Sequence, residues 1–256
     1  MAKNNIRLDT VQQKEIYSRF RYLSDRYGPW QVWTDFITMS ACALDQADLS
    51  QRDAREAEYQ SIVARYRPDE LSRFSEMFAF TVDALEENPE QDFLGDLFMR
   101  FDLGNSWKGQ FFTPYNLCAA MAQITSSNLK DNLERRFWVP CNDPACGAGA
   151  TLIAHANECR RQGVNYQTSV LYVGQDIDRT AALMCYVQLS LLGCPGYIVV
   201  GNTLTNPSVG PLLFPQRQEG QEIWYTPMFF SSVWAWRRRY NFIDIAMKEG
   251  TLHEQE

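Results

Sequence analysis

Apolar residues recur three and four positions apart through the first hundred residues of the chain. The pattern runs through IRLDTVQQKEIYSRFRYLSDRYG, which ends at Gly28, and resumes in PWQVWTDFITMSACALDQAD from Pro29. Such spacing lays one apolar stripe along a 3.6-residue period, so both stretches predict amphipathic helices. No glycine stands between Gly28 and Gly95 to interrupt the pattern. The acidic turn LEENPEQD then leads into FLGDLFMRFD, a short amphipathic segment, and Gly104 with Asn105 breaks the periodicity. An α-helical amino-terminal domain is therefore expected over residues 1–104.

Beyond that point the texture changes. TPYNLCAAMAQIT reads as a helix, FWVPCNDPACG ends an apolar run in a turn, and TLIAHANECRRQG is helical. VLYVGQDID predicts a strand closed by acids, RTAALMCYVQLSLLG a helix, and YIVVGNTL another strand. Strands alternating with helices of this length predict a doubly wound, parallel α/β sheet for residues 105–256. Further on, IWYTPMFF holds one more strand-like run, SSVWAWRRRYN reads as a helix, and FIDIAM suits one short strand.

Composition narrows the function classes. No run of eighteen apolar residues occurs, and MAKNNIRLDTVQQKE has no apolar stretch behind its charges. Neither a membrane span nor a signal peptide is expected, and the expected compartment is the cytoplasm. Seven cysteines, an odd number without a CxxC pair, suggest reduced buried thiols rather than a disulfide or zinc framework. With only His155 and His253 available, no metal site is expected. The net charge of −7 argues against a surface that grips nucleic acid everywhere, but leaves room for local basic patches. Three clusters qualify: Arg135–Arg136, Arg160–Arg161, and Arg237–Arg239, the last beside Trp234 and Trp236.

In an open parallel sheet, ligands bind where the carboxyl ends of the strands meet their loops. Three such loops should converge: NDPACGAGAT, GQDID and GNTL. Gly147 and Gly149, flanked by alanines, let the backbone turn tightly and approach a ligand, although the same turn can serve only helix packing. The loop is neither a P-loop, lacking GKS or GKT, nor a GxGxxG dinucleotide turn. Asp176 at a strand end can accept hydrogen bonds from both hydroxyls of a ribose, whereas Asp178 suits a helix cap. Asn202 offers an amide that can pair with an adenine edge. Together these describe a nucleoside site with no cationic cradle for a triphosphate.

GQFFTP, DPACGAGATL, GQDID and GNTL, in this order and spacing, resemble the cofactor half of the N6-adenine DNA methyltransferases, particularly the modification subunits of type I restriction systems. The resemblance covers roughly residues 106–205. It implies a Rossmann-like sheet, S-adenosyl-L-methionine as cofactor, DNA as partner, and methylation of adenine at N6. By the same analogy Gln110, Phe111, Thr113 and Pro114 line the methionine side of the cofactor. Asp143, Pro144, Cys146 and Gly147 approach its amino acid moiety, Asp176 its ribose and Asn202 its adenine. Ala148 stands where the family often has serine.

The family holds the flipped adenine with an Asn-Pro-Pro-Phe or Asp-Pro-Pro-Tyr motif at the end of a fourth strand, and no such motif occurs in this sequence. The best match is IWYTPMFF, which assigns transfer to Thr226, Pro227 and Phe229; TNPSVG, with Asn206 and Pro207, is the weaker match. Two functions remain open on these grounds: a DNA adenine methyltransferase, or a catalytically silent relative that binds cofactor or DNA as a regulator or decoy subunit. The family's sheet has seven strands and this chain has room for four or five, so either the enzyme is a compact form or a protein partner or second copy completes the sheet and target recognition.

Overall fold

The computed structural model describes residues 6–45, 47–103 and 112–240. Its first part is helical: α1 (Val11–Tyr27), α2 (Pro29–Leu44), α3 (Arg52–Val63), α4 (Pro68–Glu87) and α5 (Phe93–Arg100). Local chemistry sets the boundaries. Thr10 and Gln13 form a reciprocal capping box that starts α1, and Gly28, at φ 83°, ends it just before Pro29 opens α2. Asp92 caps α5 by accepting from the backbone N–H of Gly95 at 2.9 Å. The apolar stripes meet in an aromatic cluster, where the Phe20 ring stacks on Phe101 at 4.7 Å and Trp33 meets Phe101 edge-on at 5.7 Å.

The second part begins with α6 (Tyr115–Thr125) and α7 (Leu129–Arg135), followed by β1 (Val139–Asp143) and α8 (Ala150–Arg161). Then come α9 (Tyr166–Ser169), β2 (Val170–Asp176), α10 (Arg179–Leu191), β3 (Gly196–Val200) and β4 (Glu222–Tyr225). A single 3₁₀ turn (Pro227–Phe230) leads to α11, helical over 232–240. The sheet order is β1-β2-β3-β4; β1–β2 and β2–β3 are parallel, and β3–β4 is antiparallel. The wholly parallel sheet expected from the sequence is thus a mixed one. The connection from β3 to β4 contains no helix, only turns and one antiparallel bridge between Val209 and Gln216. Without a crossover element the chain returns along β3 in the opposite sense. The strand expected at FIDIAM lies outside the described residues.

One apolar core runs from Ile16 to Trp224 and crosses residue 104 without a break. At its centre lies α10, buried on every side, as a helix that is apolar all round must be. It packs between α2 of the helical part and β2 and β3 of the sheet. The opposite face of the sheet, built from Leu171, Val173, Tyr197 and Val199, is covered by Leu213, Phe229 and Trp234. A charged seam also ties the two parts together. Arg55 pairs with Asp45 and Glu222, Arg179 pairs with Glu58 and Glu222, and the Arg55 guanidinium lies 3.3 Å from the Trp224 ring centroid. None of the seven cysteines, all among the described residues, is in a disulfide. No helix among the described residues is long and apolar enough to cross a membrane.

Candidate functional site

The carboxyl ends of the three parallel strands carry Asp143, Asp176 and the Val200-Gly201-Asn202 segment, with Asp143 level with Gly174 and Asp176 level with Val200. Hydrogen bonds knit their loops into one surface. Asp176 sits between two of them: its Oδ2 accepts from the Gly147 N–H and its Oδ1 from the Asp178 N–H, both at 2.9 Å. Its own backbone carbonyl accepts from the Gly201 N–H at 2.9 Å. The Thr203 hydroxyl closes the ring by donating to the Pro144 carbonyl. Burial pushes the Asp176 carboxyl above its ordinary range, and the two backbone donors pull the other way. A half-buried carboxylate held by backbone on one side is thus fixed in orientation.

The glycine turn has its own geometry. Asp143 turns the backbone by accepting from the Ala145 N–H at 3.0 Å, and the Cys146 N–H donates to Gln175 O at 3.0 Å. Gly147 adopts φ +52°, and a Cβ there would stand 2.9 Å from the Phe112 ring. Gly149, at φ +101°, starts α8, and a Cβ there would stand 2.8 Å from Cys185 Sγ. The aromatic segment ahead of α6 therefore rests directly on this turn through Phe112. Thr113 and Pro114 follow, with Pro114 as the residue preceding α6. Gln110 and Phe111 lie outside the described residues. A cavity of about 500 Å³ adjoins the segment, lined by Phe112, Thr113, Tyr115, Asp92, Asp96 and Gln13 among others.

Other expected residues are engaged locally. Asp178 caps α10, its Oδ1 accepting from the Ala181 N–H at 3.0 Å. The Asn202 side-chain oxygen accepts from the Leu204 N–H at 2.9 Å, which fixes a turn. Cys146 is buried beneath the loop beside Cys185. Burial pushes the thiols of Cys42, Cys118, Cys141, Cys159, Cys185 and Cys194 upward, so none of these six is poised as a thiolate.

Thr226, Pro227 and Phe229 are not brought to this surface. Because β4 runs antiparallel, Tyr225 is level with Tyr197 near the start of β3, and Thr226 lies beyond it. Thr226 is fully buried: its Oγ1 donates to Cys194 O at 2.7 Å and accepts from the Gly196 N–H at 3.0 Å. Pro227 opens the 3₁₀ turn, and Phe229 is buried against Tyr225 at 4.9 Å between ring centroids. The length of β3, roughly 13 Å at 3.3 Å per step, separates them from the Asp176 end. Asn206, the weaker match, does lie on the loop side, where its carbonyl accepts from the side chains of Gln175 and Gln221, both at 2.8 Å.

Sequence reasoning passed over three residues that shape the site. Gln188, fully buried in α10, donates to Asp92 Oδ1 at 2.7 Å and to Ala148 O at 2.9 Å, and accepts from the Leu94 N–H at 3.1 Å. It clamps the glycine loop to the start of α5. A single amide inside an otherwise apolar helix was the available signal. Phe112 was screened by its neighbour in the Phe-Phe pair. Ile177, directly after Asp176, is 69% exposed at the strand end.

A family model described as N-6 DNA methylase matches residues 91–254, well over half of the chain. The protein belongs to the N-6 DNA methylase family. The matched span opens in α5's approach, so the Asp92 cap and the Gln188 clamp fall inside it together with all three loops. No curated protein and no solved structure matches the chain.

Proposed function

We propose that this N-6 DNA methylase family member binds S-adenosyl-L-methionine on a Rossmann-like sheet and acts in adenine N6 methylation of DNA. The observation that carries the reading is Asp176, a strand-end carboxylate tied to both the glycine turn and the following helix start. The residues suit the cofactor: a backbone turn stripped of side chains at Gly147, a fixed carboxylate for a diol, and the Asn202 amide on the third loop. In this assignment Asp176 holds the ribose, Asn202 the adenine, and Asp143, Pro144, Cys146 and Gly147 the amino acid end. Thr113 and Pro114 close the methionine side, a role the resemblance also assigns to Gln110 and Phe111, and Phe112 rests against the turn ahead of Thr113. The cofactor, when bound, supplies the activated methyl group. The protein's part is to orient it and exclude water, with no covalent enzyme intermediate.

The placement of Thr226 favours a second reading, a chain that binds the cofactor without turning over by itself. Its hydroxyl is committed to Gly196 and Cys194 at the far end of the strands, so it does not serve as the acceptor for the adenine amino group. A protein partner or second copy that extends the sheet beside β1, whose one strand neighbour among the described residues is β2, would then supply that group. Two measurements separate the readings. Calorimetric titration with S-adenosyl-L-methionine should show binding that Asp176→Ala abolishes; unchanged affinity in the variant sinks the pocket assignment. Nucleoside mass spectrometry of DNA from a host without adenine methylation should then detect N6-methyladenine if the chain acts alone. Binding without the product supports the second reading.

A further inference from the structure

Of the three arginine clusters in the sequence, one is neutralised and two are brought together. Arg161 pairs with Glu90 and Glu158, and Arg160 reaches Asn157. By contrast, the segment that follows α7 meets α11 at the start of β1: Arg237 Nη2 donates to Phe137 O at 3.0 Å, and the rings of Trp234 and Trp138 meet edge-on at 5.7 Å. The segment carrying Arg135 and Arg136 thereby neighbours the one carrying Arg237, Arg238 and Arg239, and none of the five has an ion-pair partner among the described residues. Arg237 and Arg238 turn inward over Trp234 and Phe229, while Arg135, Arg136 and Arg239 are exposed. The acids on these two elements are Asp131 and Glu134 of α7.

Three rings lie exposed on these two neighbouring segments: Phe137 at 92%, Trp236 at 56% and Tyr240 at 63%. Trp236 and Tyr240, one helical turn apart, stack at 5.9 Å with 28° between their planes, and Arg239 lies 5.8 Å from the Trp236 centroid. A chain of net charge −7 thus carries, beside open aromatic faces, guanidinium groups that have no ion pair among the described residues. Guanidinium groups bind phosphates, and open rings stack on bases that are not already stacked in a duplex.

We infer that the surface formed by Arg135, Arg136, Phe137, Trp236, Arg239 and Tyr240 binds a single strand of DNA. Phe137 precedes β1, so this surface lies roughly 20 Å from the Asp143 end of the strand, taking six residues at 3.3 Å each. It is a second nucleic-acid contact, separate from the cofactor loops. Charge complementarity selects a polyanion, and the exposed rings select unpaired bases over a duplex.

The test uses the full chain and fluorescence anisotropy with a labelled single-stranded oligothymidine. Replacing Trp236 and Tyr240 by alanine should weaken binding at least tenfold with little change in salt dependence. Replacing Arg135, Arg136 and Arg239 by glutamine should reduce the slope of log K against log salt by about 2, at roughly 0.7 per phosphate contact. Asp176→Ala should bind the oligonucleotide like the parent, which separates this surface from the cofactor site. Absence of binding by the parent, wild-type binding by both variant sets, equal competition by duplex, or preference for oligouridine would each overturn the inference. Circular dichroism melts of the variants should match the parent, because the replaced side chains are exposed.

Discussion

Replacing Thr226 by valine separates a structural role from a catalytic one. The two side chains have nearly the same shape, so the change removes a hydroxyl without opening a cavity. In the fully buried Thr226 site that hydroxyl serves the Gly196 N–H at 3.0 Å and the Cys194 carbonyl at 2.7 Å. Leaving a buried donor and a buried acceptor unpaired costs about 1–3 kcal/mol each, partly offset by about 0.8 kcal/mol for the added methyl group. The expected loss is about 1–5 kcal/mol. For a chain of this size that lowers Tm by roughly 2–20 °C. Thermal melting followed by circular dichroism measures it, with S-adenosyl-L-methionine titrated at a temperature where the variant is still folded. Cofactor affinity should equal the parent's, and any methylation by the parent should persist. A variant with parental Tm, or one with parental Tm and lost transfer, would refute the placement of this hydroxyl in the ladder between β3 and β4. Thr226→Asn should also destabilise, since the larger amide has no room there, and it should not create activity.

Gly149→Ala combines two costs, a left-handed backbone at φ +101° and a Cβ placed 2.8 Å from Cys185 Sγ, for an expected loss on the order of 2–4 kcal/mol. Adding Cys185→Ala should recover only the packing part; urea unfolding that shows full recovery, or none, counts against this division. His155 is half-buried, with Nδ1 3.4 Å from the Tyr172 hydroxyl, and desolvation lowers its pKa to about 4, against a weaker upward pull from Glu158. Above its ordinary pKa near 6.5 it is neutral in both states and its contribution is intact. As pH falls from there toward 4 the unfolded chain takes a proton that the native state resists, so stability is lost, by about 2 kcal/mol at pH 5. Urea unfolding at pH 7 and pH 5 should show that His155→Asn is less acid-sensitive by about that amount; identical pH responses would contradict the burial argument.

What could be read from the sequence was what short-range patterning encodes. The 3.6-residue period located α1, α2, α6, α8 and α10, and the strand-ending residues of β1, β2 and β3 stood out because glycine or an acid follows an apolar run. Asp178 was legible as a cap because it directly precedes the apolar run of α10. The sense of β4 was not legible in its own residues, since a strand looks alike in either direction. The decisive clue lay upstream, in a connection between residues 201 and 221 that lacks any helical period and so cannot carry a parallel crossover. That one reversal moves Thr226, Pro227 and Phe229 from the loop surface to the base of the sheet.

Convergence of distant residues was harder still. Gln188 couples Asp92 to Ala148 across ninety-six and forty positions, and Arg237 reaches Phe137 across one hundred. Neither spacing has a local period. Such contacts follow from topology: α10 crosses behind the glycine loop, so an amide on its buried face must meet either a backbone partner or an unpaired cost of about 1–3 kcal/mol. Gln188 meets three partners, Asp92, Ala148 and Leu94, which makes the glycine turn part of the core rather than a surface loop. The turn thereby gains a rigid floor from the helical part of the chain, and the family match, which begins ahead of α5, includes the residues that supply it.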